Sequence, residues 1–161
     1  MSSTIDSRVH AVVDAATGHI VVSVELAATP ERTFRAISSK DITRWWVRPG
    51  VFDTREWSGD LRVGGRWHTS GMMRGQPYTL EGAFLEIDAP NKLVHTWEGA
   101  GNAASPSTVS YVLEPLDDGT RLTLRHSGLA SPDVSSRFAT GWETSLERLV
   151  EILAAESSNN S

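Results

Sequence analysis

Apolar and polar residues alternate from Ile20 to Ala27, with Ile20, Val22, Val24 and Leu26 on one side and Val21, Ser23 and Glu25 on the other. A period of two over this length predicts a half-buried strand. Val9 to Val13 is a shorter apolar run that can pair with it across the turn around Thr17-Gly18. Thr29-Pro30-Glu31 supplies an N-cap, a proline at the first helical position and an early carboxylate, so a helix begins there with Phe34 and Ile37 as its apolar contacts. A second short helix starts near Ser39 or Asp41, carries Ile42, Trp45 and Trp46, and is stopped by Pro49-Gly50.

From about Val51 to Leu129 the chain reads as a series of strands punctuated by glycine. Gly64-Gly65 is a tight turn feeding Arg66-Trp67-His68-Thr69, while Gly71 and Gly75-Gln76-Pro77 mark a hairpin loop. Thr79 to Ile87 has imperfect parity with Gly82 inside it, which predicts a bulge or bend that curves the sheet. After the Ala89-Pro90-Asn91 turn, Leu93, His95 and Trp97 share a face. Gly99 to Ser107 is a small-residue loop, expected to be mobile. Val109, Tyr111 and Leu113 form the next inward set, and Asp117-Asp118-Gly119 is a hairpin turn. Leu122, Leu124 and His126 then alternate with Arg121, Thr123 and Arg125, which puts His126 on the apolar face. The last element opens at Ser131-Pro132-Asp133. Phe138, Trp142, Leu146, Leu149 and Leu153 recur there at spacings of 4, 4, 3 and 4, one stripe of a long helix. An aromatic stripe of that length must cover a broad apolar surface, and the concave face of the sheet is the one available. Sheet and helix together make a container.

Composition narrows the function classes. At 161 residues the chain is expected to form one domain, with its core at about 18–155 and frayed ends at 1–8 and 156–161. Fifteen basic against 20 acidic residues give a charge of −5 with neither sign in a block, which argues against a nucleic-acid footprint. There is no cysteine, hence no thiol nucleophile and no thiolate metal site. The first 17 residues lack the apolar segment of a signal peptide, and no run approaches a membrane span, so a cytoplasmic location is expected.

Several stretches, taken in order, carry a resemblance to a known family. They are Ala28-Thr29-Pro30-Glu31-Arg32-Thr33-Phe34 with Trp45-Trp46; Asp60 to Trp67, containing Gly64-Gly65; Gly82 with Glu86-Ile87 and Pro90; Leu93-Val94-His95-Thr96-Trp97; Leu113-Glu114-Pro115; Gly119-Thr120-Arg121-Leu122; His126-Ser127-Gly128-Leu129; and Gly141-Trp142. This arrangement resembles the helix-grip, or START-like (SRPBCC), superfamily, in the branch named for the activator of heat-shock-protein-90 ATPase homologue. The resemblance implies an α+β fold: a curved antiparallel sheet of six or seven strands wrapped around the long C-terminal helix, with two short helices after the first strand, often around a cavity. It does not imply one activity. Members of the wider superfamily bind lipids and aromatic metabolites, act as polyketide cyclases, or assist a chaperone.

Six tryptophans are many for this length, and Trp46, Trp67, Trp97 and Trp142 fall where the pattern points inward. They either wall a pocket for a flat apolar ligand or fill a deep sheet–helix interface; pockets and cores share this composition. The ligand reading draws its wall from Trp46, Trp67, Phe84, His95, Trp97, Tyr111, Phe138 and Trp142, with Tyr111, His95 and His126 as the polar groups that orient the ligand. Met72, Met73 and Tyr78 are candidates for its rim.

His95 and His126 are also the candidate acid–base residues of a cyclase- or hydratase-like enzyme, since imidazole titrates near neutrality. The alternative is a pair of buried neutral histidines, favoured because no carboxylate is placed to orient either ring. His10, His19, His68, His95 and His126 have no ligand spacing, and no Gly-x-Ser-x-Gly elbow occurs, so neither a metal nor another cofactor is expected. The expected partner is a small hydrophobic or aromatic molecule. A homodimer through a strand edge and a chaperone partner in a stress response are lesser expectations, and neither nucleic acid nor membrane is one.

Overall fold

The computed structural model describes residues 9–14, 16–99, 106–129 and 131–159. In chain order the elements are β1 (Ala11–Val13), β2 (Ile20–Leu26), α1 (Pro30–Ser38), α2 (Ile42–Trp45), β3 (Val47–Arg48), β4 (Phe52–Gly59), β5 (Arg66–Met73), β6 (Gln76–Asp88), β7 (Lys92–Gly99), β8 (Ser107–Leu116), β9 (Gly119–Ser127) and α3 (Pro132–Asn159). The strands form one sheet in the order β1-β2-β9-β8-β7-β6-β5-β4-β3, every pair antiparallel. Nine strands replace the six or seven expected. The smallest, β1 with 3 residues and β3 with 2, are too short to display an alternation.

The sheet curls until both of its ends reach the same helix. α3 packs on β1 and β2 at one end and on β3 at the other, with α2 beside it. Local irregularities in β4 and β6 accompany the bend. The β4–β5 register shifts between Thr54 and Glu56, and the β6–β7 register between Phe84 and Glu86. The second shift carries the broken parity expected in β6, but its extra residue is Leu85, which faces solvent at 50% exposure, and not Gly82. Gly82 serves a close approach. A Cβ there would collide with the Thr96 carbonyl oxygen and with Nε1 of Trp67. Without one, the Trp67 indole lies flat enough to donate to that carbonyl at 3.2 Å.

Two other expectations change. Gly71 sits inside β5 opposite Tyr78, and the hairpin turn is Arg74-Gly75 alone. α2 ends at Trp45, before Pro49-Gly50, because Trp46 leaves the helical conformation (φ −81°, ψ 62°) and the chain enters β3. Residues 100–105 of the small-residue loop lie outside the described residues.

α1 starts as its sequence requires: Thr29 Oγ1 accepts from the Arg32 amide at 3.1 Å, and Pro30 occupies the first turn. Asp41, by contrast, makes no capping bond to α2 and turns instead to Arg32 at 2.9 Å. Arg32 also donates to both carboxylate oxygens of Glu156, from Nε at 3.0 Å and Nη2 at 3.1 Å, and Arg44 reaches the same carboxylate at 3.0 Å. The chain is therefore helical and anchored beyond 155, where fraying was expected to begin.

That clamp yields a pH-dependent prediction. The hydrogen bonds from Arg32 hold the Glu156 carboxyl below its ordinary value of 4.5. A group depressed in the folded state contributes stability that is complete above its unfolded value and lost as pH falls through the folded one. With the carboxylate a third exposed, its worth is about 1 kcal/mol or less. Glu156→Gln should lower the free energy of unfolding by that amount at pH 7. The difference from wild type should shrink in urea titrations as pH falls below 4.5; a difference independent of pH would show that the pairing is not its source.

Candidate functional site

Trp46 is the hub of a layer of rings between the sheet and α3. Its side chain meets Trp97 at 5.1 Å between centroids, Trp67 at 5.9 Å, Trp142 at 6.0 Å and Trp45 at 6.0 Å. Four separate elements deliver these rings: the end of α2, the inward parity of β5 and β7, and the stripe of α3. The hub is placed from two sides. Trp45 donates from Nε1 to the Ala36 carbonyl at 2.9 Å, which locks α2 onto α1, and the Thr54 amide donates to the Trp46 carbonyl at 3.3 Å, which ties the hub to β4.

The layer has a closed part and an open part. In the closed part, His95 packs against Trp67 (5.0 Å), Tyr111 (5.6 Å) and Phe84 (6.3 Å), and all four side chains are essentially buried. His95 Nδ1 lies 2.9 Å from the Thr96 carbonyl, which only accepts, so Nδ1 carries the proton and Nε2 is left as an acceptor for the Tyr111 hydroxyl at 3.4 Å. His126 is fixed in the opposite tautomer. The Trp142 indole, which only donates, gives its Nε1 proton to Nδ1 at 3.1 Å, so His126 is protonated on Nε2 and donates to Ser107 Oγ at 2.7 Å. Ser107 passes its own proton toward the Trp97 carbonyl at 3.4 Å. Burial pushes His95 down to about 4 and His126 down to about 3, and pushes the Tyr111 hydroxyl up. Both imidazoles are neutral hydrogen-bond bridges that hold the rings in register.

The open part is a cavity of about 220 Å³ at the β4–β6 side of α3. Four of the nine residues expected at the site, Trp46, Trp97, Phe138 and Trp142, line it. Trp67, Phe84, His95, Tyr111 and His126 are not among its lining residues; they form the closed part behind that wall. Of the rim candidates, Met73 and Tyr78 line the cavity and Met72 does not. Its neutral polar groups include one the sequence did not reveal, Thr54, whose Oγ1 lies 2.5 Å from the Tyr78 hydroxyl. Phe52 packs close over Gly141 in the cavity wall: a Cβ on Gly141 would meet the Phe52 ring at 3.7 Å. A glycine inside a long helix costs about 1 kcal/mol relative to alanine, and that misfit was the available signal that its side-chain space is used otherwise.

The model of the family described as Activator of Hsp90 ATPase homolog 1-like protein matches residues 27–154. The chain belongs to this family. Solved structures agree on the fold. A Rhodobacter sphaeroides protein superposes with a TM-score of 0.76 at 23% identity, covering 91% of this chain and 98% of its own. A family protein from Silicibacter pomeroyi gives 0.71 at 27% identity, covering 86% and 99%. CalU16 from Micromonospora echinospora gives 0.62 at 23% identity, covering 91% and 82%. No curated protein matches. The family match spans α1, both parts of the ring layer and α3 as far as Ala154. No helix among the described residues is long and apolar enough to cross a membrane.

The histidine network predicts a pH signature. With both imidazoles held below their ordinary value of 6.5, the unfolded chain binds more protons than the folded one from about pH 6.5 down to about 4. Their contribution to stability is complete above pH 6.5 and is lost below it, at up to about 1.4 kcal/mol per pH unit for each ring. Chemical denaturation should show a loss on the order of 2–4 kcal/mol between pH 7.5 and 5, while ¹⁵N NMR shows His126 still neutral and protonated on Nε2 at pH 5. A His126 that charges near pH 6.5 with no loss of stability would contradict the network.

Proposed function

We propose that this family member binds a small hydrophobic or aromatic molecule in the cavity between the curved sheet and α3. The observation that carries the reading is the contrast within one aromatic layer. Around His95 and His126 the rings are fully buried and hydrogen-bonded, whereas beside Trp46, Trp97, Phe138 and Trp142 a space of about 220 Å³ is left. A dry cavity of ~150 Å³ already accommodates benzene, so this one suits a substituted or fused ring. Burying about 300 Å² of apolar ligand surface contributes roughly 7 kcal/mol gross. Association costs at least about 4 kcal/mol, which leaves millimolar to micromolar affinity before polar contacts are counted.

The enzyme reading, with His95 or His126 as general acid or base, has less support. Neither ring lines the cavity, and both are committed to hydrogen bonds in the neutral state. Stimulation of a chaperone ATPase is suggested by the family's description, and the cavity is what favours a small ligand over it.

Gly141 offers a test that removes no contact. Gly141→Ala should stabilise α3 by about 0.5–1 kcal/mol, and Gly141→Leu should fill the cavity while the protein stays folded. Binding of N-phenyl-1-naphthylamine, followed by its fluorescence, is expected for wild type and lost for folded Gly141→Leu. Equal binding by both proteins, or none by wild type, would place the ligand site elsewhere or remove it. Trp97→Ala, which deletes a ring contacting both parts of the layer, should cost about 3–5 kcal/mol of stability in a thermal or urea melt. An unchanged melt would mean that the ring does not support the layer.

A further inference from the structure

Among the described residues the cavity wall carries three arginines and no carboxylate. Arg48 comes from β3, Arg74 from the β5–β6 turn and Arg137 from α3, and no acidic residue among the described residues lines the cavity. Among the described residues, no hydrogen bond or ion pair engages any of these three guanidinium groups. Arg32, Arg44, Arg62, Arg66 and Arg121, by contrast, each face a carboxylate within 3.2 Å. A chain with net charge −5 has thus gathered three unneutralised cations around this aromatic-lined cavity.

Two further observations point the same way. Arg74 has φ +50° and precedes Gly75 at φ +82°, so it is the first central residue of a two-residue hairpin turn with both angles positive. Such turns favour Asn, Asp or Gly at that position, and an arginine there is held at a steric cost. The second observation lies deeper in the wall. The indole Nε1 groups of Trp46 and Trp97 are buried with no acceptor among the described residues. Indole and guanidinium groups only donate hydrogen bonds. The guanidinium groups of the lining therefore present donors and positive charge beside a flat apolar floor, with the two indole donors buried behind it.

From this we infer that the ligand is an amphipathic anion: a flat apolar body seated against the tryptophans, with a carboxylate or equivalent oxyanion held by Arg48, Arg74 and Arg137. Guanidinium is suited to that role because its planar fork matches a carboxylate in two parallel hydrogen bonds. The inference rests on the binding reading above and names the ligand class it takes. With Arg74 and Arg137 exposed and Arg48 partly so, each is expected to favour the anion by only about twofold, so three acting together amount to about tenfold, and salt screens them.

The test compares 2-naphthoate with 2-naphthamide, which share the ring system and differ in charge, by isothermal titration calorimetry at pH 7.5. In 50 mM salt, 2-naphthoate should bind about tenfold more tightly. The ratio should shrink to about twofold or less in 500 mM salt and in the Arg48→Gln/Arg137→Gln double variant; the ratio is the readout, so a general loss of affinity does not mimic the result. Equal affinities in low salt, or tighter binding of the amide, would overturn the anion while leaving the binding reading standing. Failure of both compounds, together with failure of N-phenyl-1-naphthylamine, would overturn the binding reading and this inference with it.

Discussion

One helix has to cover the apolar face of a sheet far wider than itself. Nine antiparallel strands at about 4.8 Å spacing would span roughly 38 Å if laid flat, whereas a helix with its side chains is about 10–12 Å across. The sheet must curl until both ends touch α3, and the space enclosed between them must be filled by side chains large enough to reach across. Everything else follows from that mismatch: the register shifts in β4 and β6, the missing side chain at Gly82, and the concentration of indole rings. Trp46 matters most because it belongs to neither layer. It drops out of the end of α2 into the gap and touches rings from both sides.

Rings fill a curved gap unevenly, and the unevenness is what gives this protein a candidate site. Where β7, β8 and β9 approach α3, histidines complete the layer, because imidazole supplies both a donor and an acceptor. His126 can take the Trp142 proton on one edge and give its own to Ser107 on the other, leaving no polar atom of the ring unpaired. Toward β3, β4 and the β5–β6 turn, no described residue plays that part. Gly141 withholds a side chain, the indole donors of Trp46 and Trp97 find no acceptor among the described residues, and the space opens between arginines.

Much of the architecture was legible in the sequence because it rests on periodicity. The alternation in β2, β8 and β9 and the stripe of α3 each assign inward residues that the structure buries, Phe138 only in part. The ring layer was legible as a layer, since parity placed Trp67, Trp97 and Trp142 inside. Parity says which side of a sheet a residue faces and nothing about how far along the gap it lies. That is why Trp67, Phe84, His95, Tyr111 and His126 shared the expected wall with Trp46, Trp97, Phe138 and Trp142, although only the last four border the cavity. The contributions of Arg48, Arg74 and Arg137 were illegible for a related reason. Each comes from a different element, two of them outside any alternating segment long enough to read, and only the curl brings them to one opening. The clamp of Glu156 by Arg32 and Arg44 likewise joins residues more than a hundred positions apart.

The central claim is that the open part of the ring layer receives a ligand and is not simply an imperfectly filled core. Native mass spectrometry of the purified protein after incubation with a metabolite extract from its native cells tests this most directly. A discrete added mass at one-to-one stoichiometry, displaced by excess 2-naphthoate, is the predicted result. A spectrum showing only the mass of the bare chain at every extract concentration would contradict it.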